Sequence, residues 1–265
     1  MLSDFHLHSC FSGDSQASPE EIINKAISLK MPYLCITDHQ DFDYVGDIDF
    51  SLDVDTYFER FSDLREQYAD KIQLLIGVET GLEPHLSEEL DALILSKPFD
   101  FIIGSSHLVN RVDPFYPEYW ANRSEEDGAL EYFNSIENCL KTCHNFDVYG
   151  HLDYVMRYSP SKGSGFSYHL YKDILDEILK KLIYLGKGIE LNTGGLARGL
   201  AFPNPHPDIL KRYAQLGGEI ITVGSDAHFP EFIGNSFDVA KEMLKNAGFK
   251  YYTIFKQRKP EFIKL

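Results

Sequence analysis

Short apolar runs alternate with amphipathic stretches from one end of the chain to the other. The apolar runs read as strands ending near His6, Thr37, Glu79, Gly104, Gly150, Asn192 and Gly224. Between them the spacing predicts helices over 19–29, 55–68, 87–95, 124–143, 168–185, 207–216 and 236–246. Several of these carry start signals. Ser18 stands ahead of Pro19, and Glu20 and Glu21 then sit at the positive end of the helix dipole. Ser124 followed by three acids reads the same way, as does Pro207-Asp208, while Gly217-Gly218 and Gly248 read as stops. Seven strand–helix repeats without a composition break predict an α/β chain forming one closed or nearly closed parallel barrel. We expect a single domain over residues 1–265. An open doubly wound sheet is the alternative, and no Gly-x-Gly-x-x-Gly turn supports it.

Composition changes this picture in a few places. The 265 residues carry 25 Lys and Arg against 41 Asp and Glu, a net charge of −16, while 43% hydrophobic residues suffice for a sizeable core. So acidic a surface repels phosphate backbones and argues against nucleic-acid partners. An anionic small-molecule substrate stays open, because bound divalent metals reverse the local field. Four cysteines make no disulfide framework, and Cys139 and Cys143, four apart, are expected to share a buried face. No run of 18 apolar residues suggests a membrane span, and the first six residues lack a signal peptide's basic and apolar regions. A cytoplasmic location is the expectation. The basic end of the chain, 256–265, reads as a solvated tail, and nothing in the pattern specifies an oligomeric state.

The informative feature is which residues end the strands. His6 and His8 alternate in an extended segment, so both side chains leave one face, and Asp226 and His228 repeat that geometry near the other end. Between them His39, Glu79, His107 and His151 each close or follow a strand. In a parallel barrel all strand C-termini face one mouth, so these groups would converge there. A single histidine after a strand is more often a cap than a ligand; four unrelated strand ends carrying His or Glu are not accounted for that way. Imidazole and carboxylate donors without cysteine suit zinc, iron or manganese, and so many donors suit two or three ions. His85, His144, His169 and His206 lack such placement and read as surface or capping residues.

With these residues laid out, the chain resembles the PHP family, named for polymerase and histidinol phosphatase. The resemblance rests on His6-Leu7-His8, Thr37-Asp38-His39, Gly77-Val78-Glu79, Ser106-His107, Gly150-His151 and Ser225-Asp226-Ala227-His228, all in family order. It implies a distorted seven-stranded (β/α) TIM-like barrel with two or three divalent metals at the C-terminal mouth. By that resemblance one metal would take His6, His8, Glu79 and Asp226. A second would share Glu79 and take His107 and His151, and a third would take Asp14, His39 and His228. Asp14 is followed by Ser15, where the family usually has Gly.

Within the family, residues 145–158 are most similar to the stand-alone histidinol phosphatases, which implies hydrolysis of the small phosphate ester L-histidinol phosphate. Other family activities, on nucleotide phosphoesters or phosphotyrosine, are the alternative; a non-hydrolytic module like those attached to polymerases is a more distant one. Arg157 and Arg198 would then hang over the mouth and hold phosphate oxygens, or else pair with acidic neighbours. Asp113 or Glu118, in an aromatic loop after a metal-site strand, could meet a substrate ammonium group, although that loop could equally pack on the rim. Glu79 is expected to bridge two metals, and Asp226 and His228 are the nearest candidates for protonating the leaving alkoxide. Asp38 and Asp153 are expected to orient ligand imidazoles.

Overall fold

The computed structural model describes residues 2–265. Seven strands run parallel: β1 (Tyr33–Ile36), β2 (His39–Gln40), β3 (Gln73–Gly81), β4 (Phe101–Ser105), β5 (Val148–Tyr149), β6 (Gly188–Asn192) and β7 (Ile221–Gly224). They lie in the order β1-β3-β4-β5-β6-β7, and β2 continues the line of β1 along β3, pairing His39 with Glu79. The extended segment 4–8 spans the two edges of this curled sheet. Asp4 bridges to Leu34 and Leu7 to Ala227. Phe5 N donates to Val223 O at 3.0 Å and Cys35 N to Asp4 O at 2.9 Å. The strand expected to end at His6 is therefore a set of isolated bridges, its hydrogen bonds divided between two neighbours.

Around the sheet lie α1 (Pro19–Ser28), α2 (Val54–Gln67), α3 (Ser87–Ser96), α4 (Pro117–Trp120), α5 (Glu125–Cys139), α6 (Lys172–Tyr184), α7 (Gly194–Ala197), α8 (Pro207–Gln215) and α9 (Phe237–Ala247). The start signals act as expected. Ser18 and Glu21 form a reciprocal capping box on α1, and the Ser124 side chain caps α5. His206 caps α8 by accepting from Asp208 N, while His85, His144 and His169 are exposed. The strands are buried on both faces, which explains the largely apolar runs of β4 and β7, whereas buried β6 alternates apolar residues with Glu190 and Asn192. The Tyr57 hydroxyl of α2 lies 3.1 and 2.9 Å from Ile36 O and Gly77 O, its one hydrogen shared between two carbonyls on the sheet that the helix covers. Among the described residues no helix is long and apolar enough to cross a membrane.

Two expectations need correction. Helix α5 stops at Cys139, so Cys143 lies beyond it, just after the turn at 140–142. The two thiols still share a buried face, donating to Leu82 O and Glu83 O at 3.3 and 3.4 Å. The end of the chain is no solvated tail: β8 (Tyr251–Lys256) and β9 (Lys259–Lys264) form an antiparallel hairpin. Its two-residue turn has positive φ at Gln257 (50°) and Arg258 (64°), the twist a tight hairpin needs. Gln257 N bonds Asp100 Oδ1 at 3.0 Å and Arg258 Nε bonds Asp147 Oδ2 at 2.5 Å. Those acids immediately precede β4 and β5, so the hairpin covers the N-terminal ends of the strands. The C-terminal ends are left for the site.

Candidate metal-centred active site

The strands deliver His39, Glu79, His107, His151, Asp226 and His228 to one cavity of about 470 Å³, joined by Asp14 from the loop before α1. His6 and His8 are fully buried behind them. Close packing there depends on glycine. A Cβ on Gly224 would overlap Glu190 Oε1 and the His6 Cβ, so only glycine lets that carboxylate and imidazole meet.

Glu79 is the hub. Its Oε2 lies 3.0 Å from His6 Nε2, 3.2 Å from His39 Nδ1 and 3.5 Å from His8 Nε2. Its Oε1 lies 2.9 Å from His151 Nε2 and 3.3 Å from His107 Nε2. Asp226 Oδ1 stands 3.5 Å from His8 Nε2 and 3.9 Å from His6 Nε2. Asp14 Oδ2 reaches His228 Nε2 at 2.9 Å and His39 Nε2 at 3.8 Å.

These separations test whether metals fit. Donors about 2.0–2.1 Å from a tetrahedral ion lie roughly 3.3 Å apart, close to the spacings found. The atoms are also without other partners: His6 Nε2, His8 Nε2, His39 Nδ1, Glu79 Oε2 and Asp14 Oδ1 are buried and make no hydrogen bond. Orphaned donors and acceptors in one place carry a desolvation cost that shared cations would offset. Groups of three donors fall close enough to hold an ion in several combinations: His6, His8 and Asp226; His6, Glu79 and His151; His39, Glu79 and His107; His8, His39 and His228.

On four of the histidines the other ring nitrogen is held by the protein, whereas His151 Nδ1 is buried without a hydrogen-bond partner. His6 Nδ1 donates to Glu190 Oε1 at 2.7 Å, and His107 Nδ1 to Asp41 Oδ1 at 2.6 Å. His8 Nδ1 donates to Ser12 Oγ at 3.2 Å, and that hydroxyl donates to Asp38 Oδ1 at 2.7 Å. His228 Nδ1 donates to the Asp226 carbonyl at 3.0 Å. Each of these contacts leaves the imidazole's Nε2 toward the carboxylate cluster, the arrangement by which outer carboxylates orient metal-binding histidines.

Charge follows the same logic. Burial pulls the His6 imidazole down, but Glu190, Glu79 and Asp226 together hold it well above the usual histidine range. Burial likewise opposes protonation of His107, and Asp41 and Glu79 outweigh it. Burial raises the Glu79 carboxyl while His6, His39 and His107 hold it well below its ordinary value. Burial, with His39 and His228 nearby, instead pushes His8 down to about 3, and burial also lowers His151. Without cations the cluster therefore attracts protons at His6, His39 and His107 but not at every imidazole.

The two arginines differ. Arg157 is buried, its side chain 2% exposed, and all three guanidinium nitrogens are engaged. Nε bonds Asn204 Oδ1, Nη1 bonds Asp226 Oδ2 and Nη2 bonds Asn192 Oδ1, at 2.7, 2.6 and 2.7 Å. Arg198 is 37% exposed, with one long contact of 3.5 Å from Nη1 to Asp226 Oδ2. Both line the cavity.

A family model for the PHP domain matches residues 4–194. This chain belongs to the PHP domain family. The histidinol-phosphatase of Lactococcus lactis is 33% identical over 95% of this chain and 93% of its own length. The crystal structure of histidinol phosphate phosphatase from Lactococcus lactis, complexed with zinc, L-histidinol and phosphate, superposes with a TM-score of 0.90. It is 32% identical and covers 98% of this chain and 100% of its own. A structure from Listeria monocytogenes, 19% identical, shares the fold with a TM-score of 0.78, covering 89% of this chain and 99% of its own.

Several residues of this PHP centre have no counterpart in the sequence reading. Glu190 and Asn192 alternate along β6 and so face one side, which was the available signal; Asp41 stands two residues beyond His39 on the same alternation. Asn204, on the segment bridged to Asn192, had no such signal. Asp38 reaches an imidazole only through Ser12. Asp153 touches none of the clustered imidazoles: its oxygens accept from Asn204 Nδ2 at 2.6 Å and His206 N at 2.8 Å. Asp153 thus steadies the asparagine that receives Arg157. Asp113 lines the cavity, whereas Glu118 is exposed and does not.

Proposed function

We propose that this chain is a metal-dependent phosphomonoesterase that hydrolyses L-histidinol phosphate to L-histidinol and phosphate. The carrying observation is the likeness over nearly the whole chain to a phosphatase bound to zinc, L-histidinol and phosphate. The clustered donors at the barrel mouth support it independently. In this reading the chain works as one domain.

Imidazole nitrogen and carboxylate oxygen donors suit zinc, iron or manganese, in two or three sites. His6, His8, Glu79 and Asp226 would hold one ion, Glu79, His107 and His151 a second, and Asp14, His39 and His228 a third. When bound, divalent ions neutralise phosphoryl oxygens and acidify the attacking water. The remaining work falls to the chain itself. Glu79 presents one oxygen to each of two donor groups and so sets their spacing. Arg198, with three of its four Nη hydrogens and its Nε–H uncommitted, would hold a phosphoryl oxygen through a charge-assisted hydrogen bond. Arg157 would complete that anion site from below while fixing Asp226 by its 2.6 Å bond. Two candidates for protonating the leaving alkoxide, Asp226 and His228, stand on the cavity wall. Burial raises the Asp226 carboxyl, but Arg198, Arg157 and His6 hold it well below its ordinary value, so the proton would come from His228.

The test is phosphate release by the metal-analysed protein from L-histidinol phosphate, a nucleoside bisphosphate, phosphotyrosine and an aryl phosphate. A preference for L-histidinol phosphate of several orders of magnitude in kcat/KM is expected, and indifferent turnover of all four would overturn the assignment.

Two variants follow from the geometry. Arg198→Ala should raise KM by roughly 10- to 150-fold, the loss of one hydrogen bond to a charged group, while metal content stays constant. An unchanged KM would return Arg198 to the rim. Glu190→Gln removes the charge behind His6 and should weaken metal binding by about 10- to 100-fold. Competition with a metallochromic chelator measures this, and parent-like affinity would sink the orienting role.

A further inference from the structure

Four carboxylates line the cavity: Asp14, Glu79, Asp226 and Asp113. The first three face imidazoles or arginine. Asp113 stands apart, in the loop between β4 and α4, only 3% exposed. Among the described residues it alone of the four has no Lys, Arg or His nitrogen at ion-pair distance. Its partners are neutral. Oδ1 accepts from Phe115 N at 2.8 Å and from the Tyr154 hydroxyl at 3.1 Å, and Oδ2 accepts from the Tyr44 hydroxyl at 2.9 Å.

Neutral donors orient a carboxylate without cancelling its charge, so a buried charge remains that a cation would stabilise. Burial pushes the Asp113 carboxyl up, the sign of that uncompensated cost. The position is suited to a ligand. Tyr44 and Tyr154 both line the cavity, and the Tyr154 ring lies 5.1 Å from that of His151 and 5.6 Å from that of His107. One aromatic side chain, with the Arg157 guanidinium 5.6 Å from its ring, therefore separates Asp113 from the clustered imidazoles.

We propose that Asp113, aimed by Tyr44 and Tyr154, is the specificity residue that receives the ammonium group of the substrate. The enzyme then selects phosphate esters of amino alcohols over esters of neutral alcohols. This rests on the phosphomonoesterase reading given above, and it assigns a residue to the organic half of the substrate.

The experiment compares kcat/KM for L-histidinol phosphate and its desamino analogue, an imidazolylpropyl phosphate, in the parent and in Asp113→Asn. The parent should prefer the ammonium-bearing ester by about 10- to 100-fold, the discrimination expected of one charge-assisted hydrogen bond. In Asp113→Asn that ratio should fall to within about threefold of unity, the change residing in KM for L-histidinol phosphate. A preserved ratio, with both esters slowed equally, is the mark of a loop support and would overturn the proposal. Should Asp113→Asn fail to fold, Tyr44→Phe gives the second reading: removing one orienting hydroxyl should reduce the ratio, and an unchanged ratio counts against Asp113. A parent that hydrolyses neither ester breaks the phosphomonoesterase reading; a parent that hydrolyses both alike breaks only this inference.

Discussion

A Glu79→Ala chain should release phosphate from L-histidinol phosphate at least about a thousandfold more slowly than the parent and bind fewer metal ions. The expectation comes from the geometry of one side chain. Its two oxygens lie within 3.5 Å of nitrogens on His6, His8, His39, His107 and His151. Alanine removes the carboxylate that, alone among the described residues, falls in two of the candidate donor groups, and the imidazoles it leaves behind lose their shared counter-charge. Both consequences are measurable together, as phosphate release and as metal per chain by elemental analysis. A variant with full metal load and the parent's rate would rule out a bridging role. Reduced rate with full metal load would instead make Glu79 an orienting group.

Stripping the metals should abolish turnover and lower the melting temperature by about 10 °C or more, both restored by adding zinc or manganese. The cluster crowds acidic groups around buried imidazoles, and in the metal-free chain protons on His6 and His107 offset part of that charge. Glu190, Glu79 and Asp226 overcome the effect of burial to raise His6, and Asp41 and Glu79 do so for His107. For a histidine raised in the folded state, the stabilisation is complete below its ordinary value of 6.5 and is lost as pH rises through the folded value. The metal-free chain should therefore lose stability with rising pH above about 6.5, while metal binding, which displaces those protons, strengthens over the same range. Thermal melts of chelated and reconstituted protein across that range check the sign. A metal-free chain that grows more stable as pH rises would contradict the cluster's charge balance.

Much of this was written in local sequence. The alternation of His6 with His8 and of Asp226 with His228 puts pairs on one face, and the placement of His39, Glu79, His107 and His151 within two residues of a strand's C-terminal end puts them at one mouth. Helix starts at Ser18 and Ser124 were equally local, because a cap is satisfied within three residues of itself. Those features depend on backbone period and on neighbours along the chain, and both can be read without coordinates.

Partner choice is different. The bonds from His6 to Glu190 and from His107 to Asp41 join residues 184 and 66 positions apart, and no local pattern specifies them. The engagement of Arg157 by Asn192, Asn204 and Asp226 arose in the same way: three chain segments meet around one guanidinium, and burial obliges each polar group to find a partner. The closing hairpin escaped because the last ten residues look basic and solvated until Asp100 and Asp147 are seen beneath its turn. The sequence by itself thus determined the barrel, its mouth and the donors aimed into it, since periodicity and capping are short-range. Only the tertiary structure decided which carboxylate orients which imidazole, how the arginines divide between buried support and open rim, and that Asp113 has only neutral hydrogen-bond partners. Those outcomes follow from desolvation and from distances across the fold.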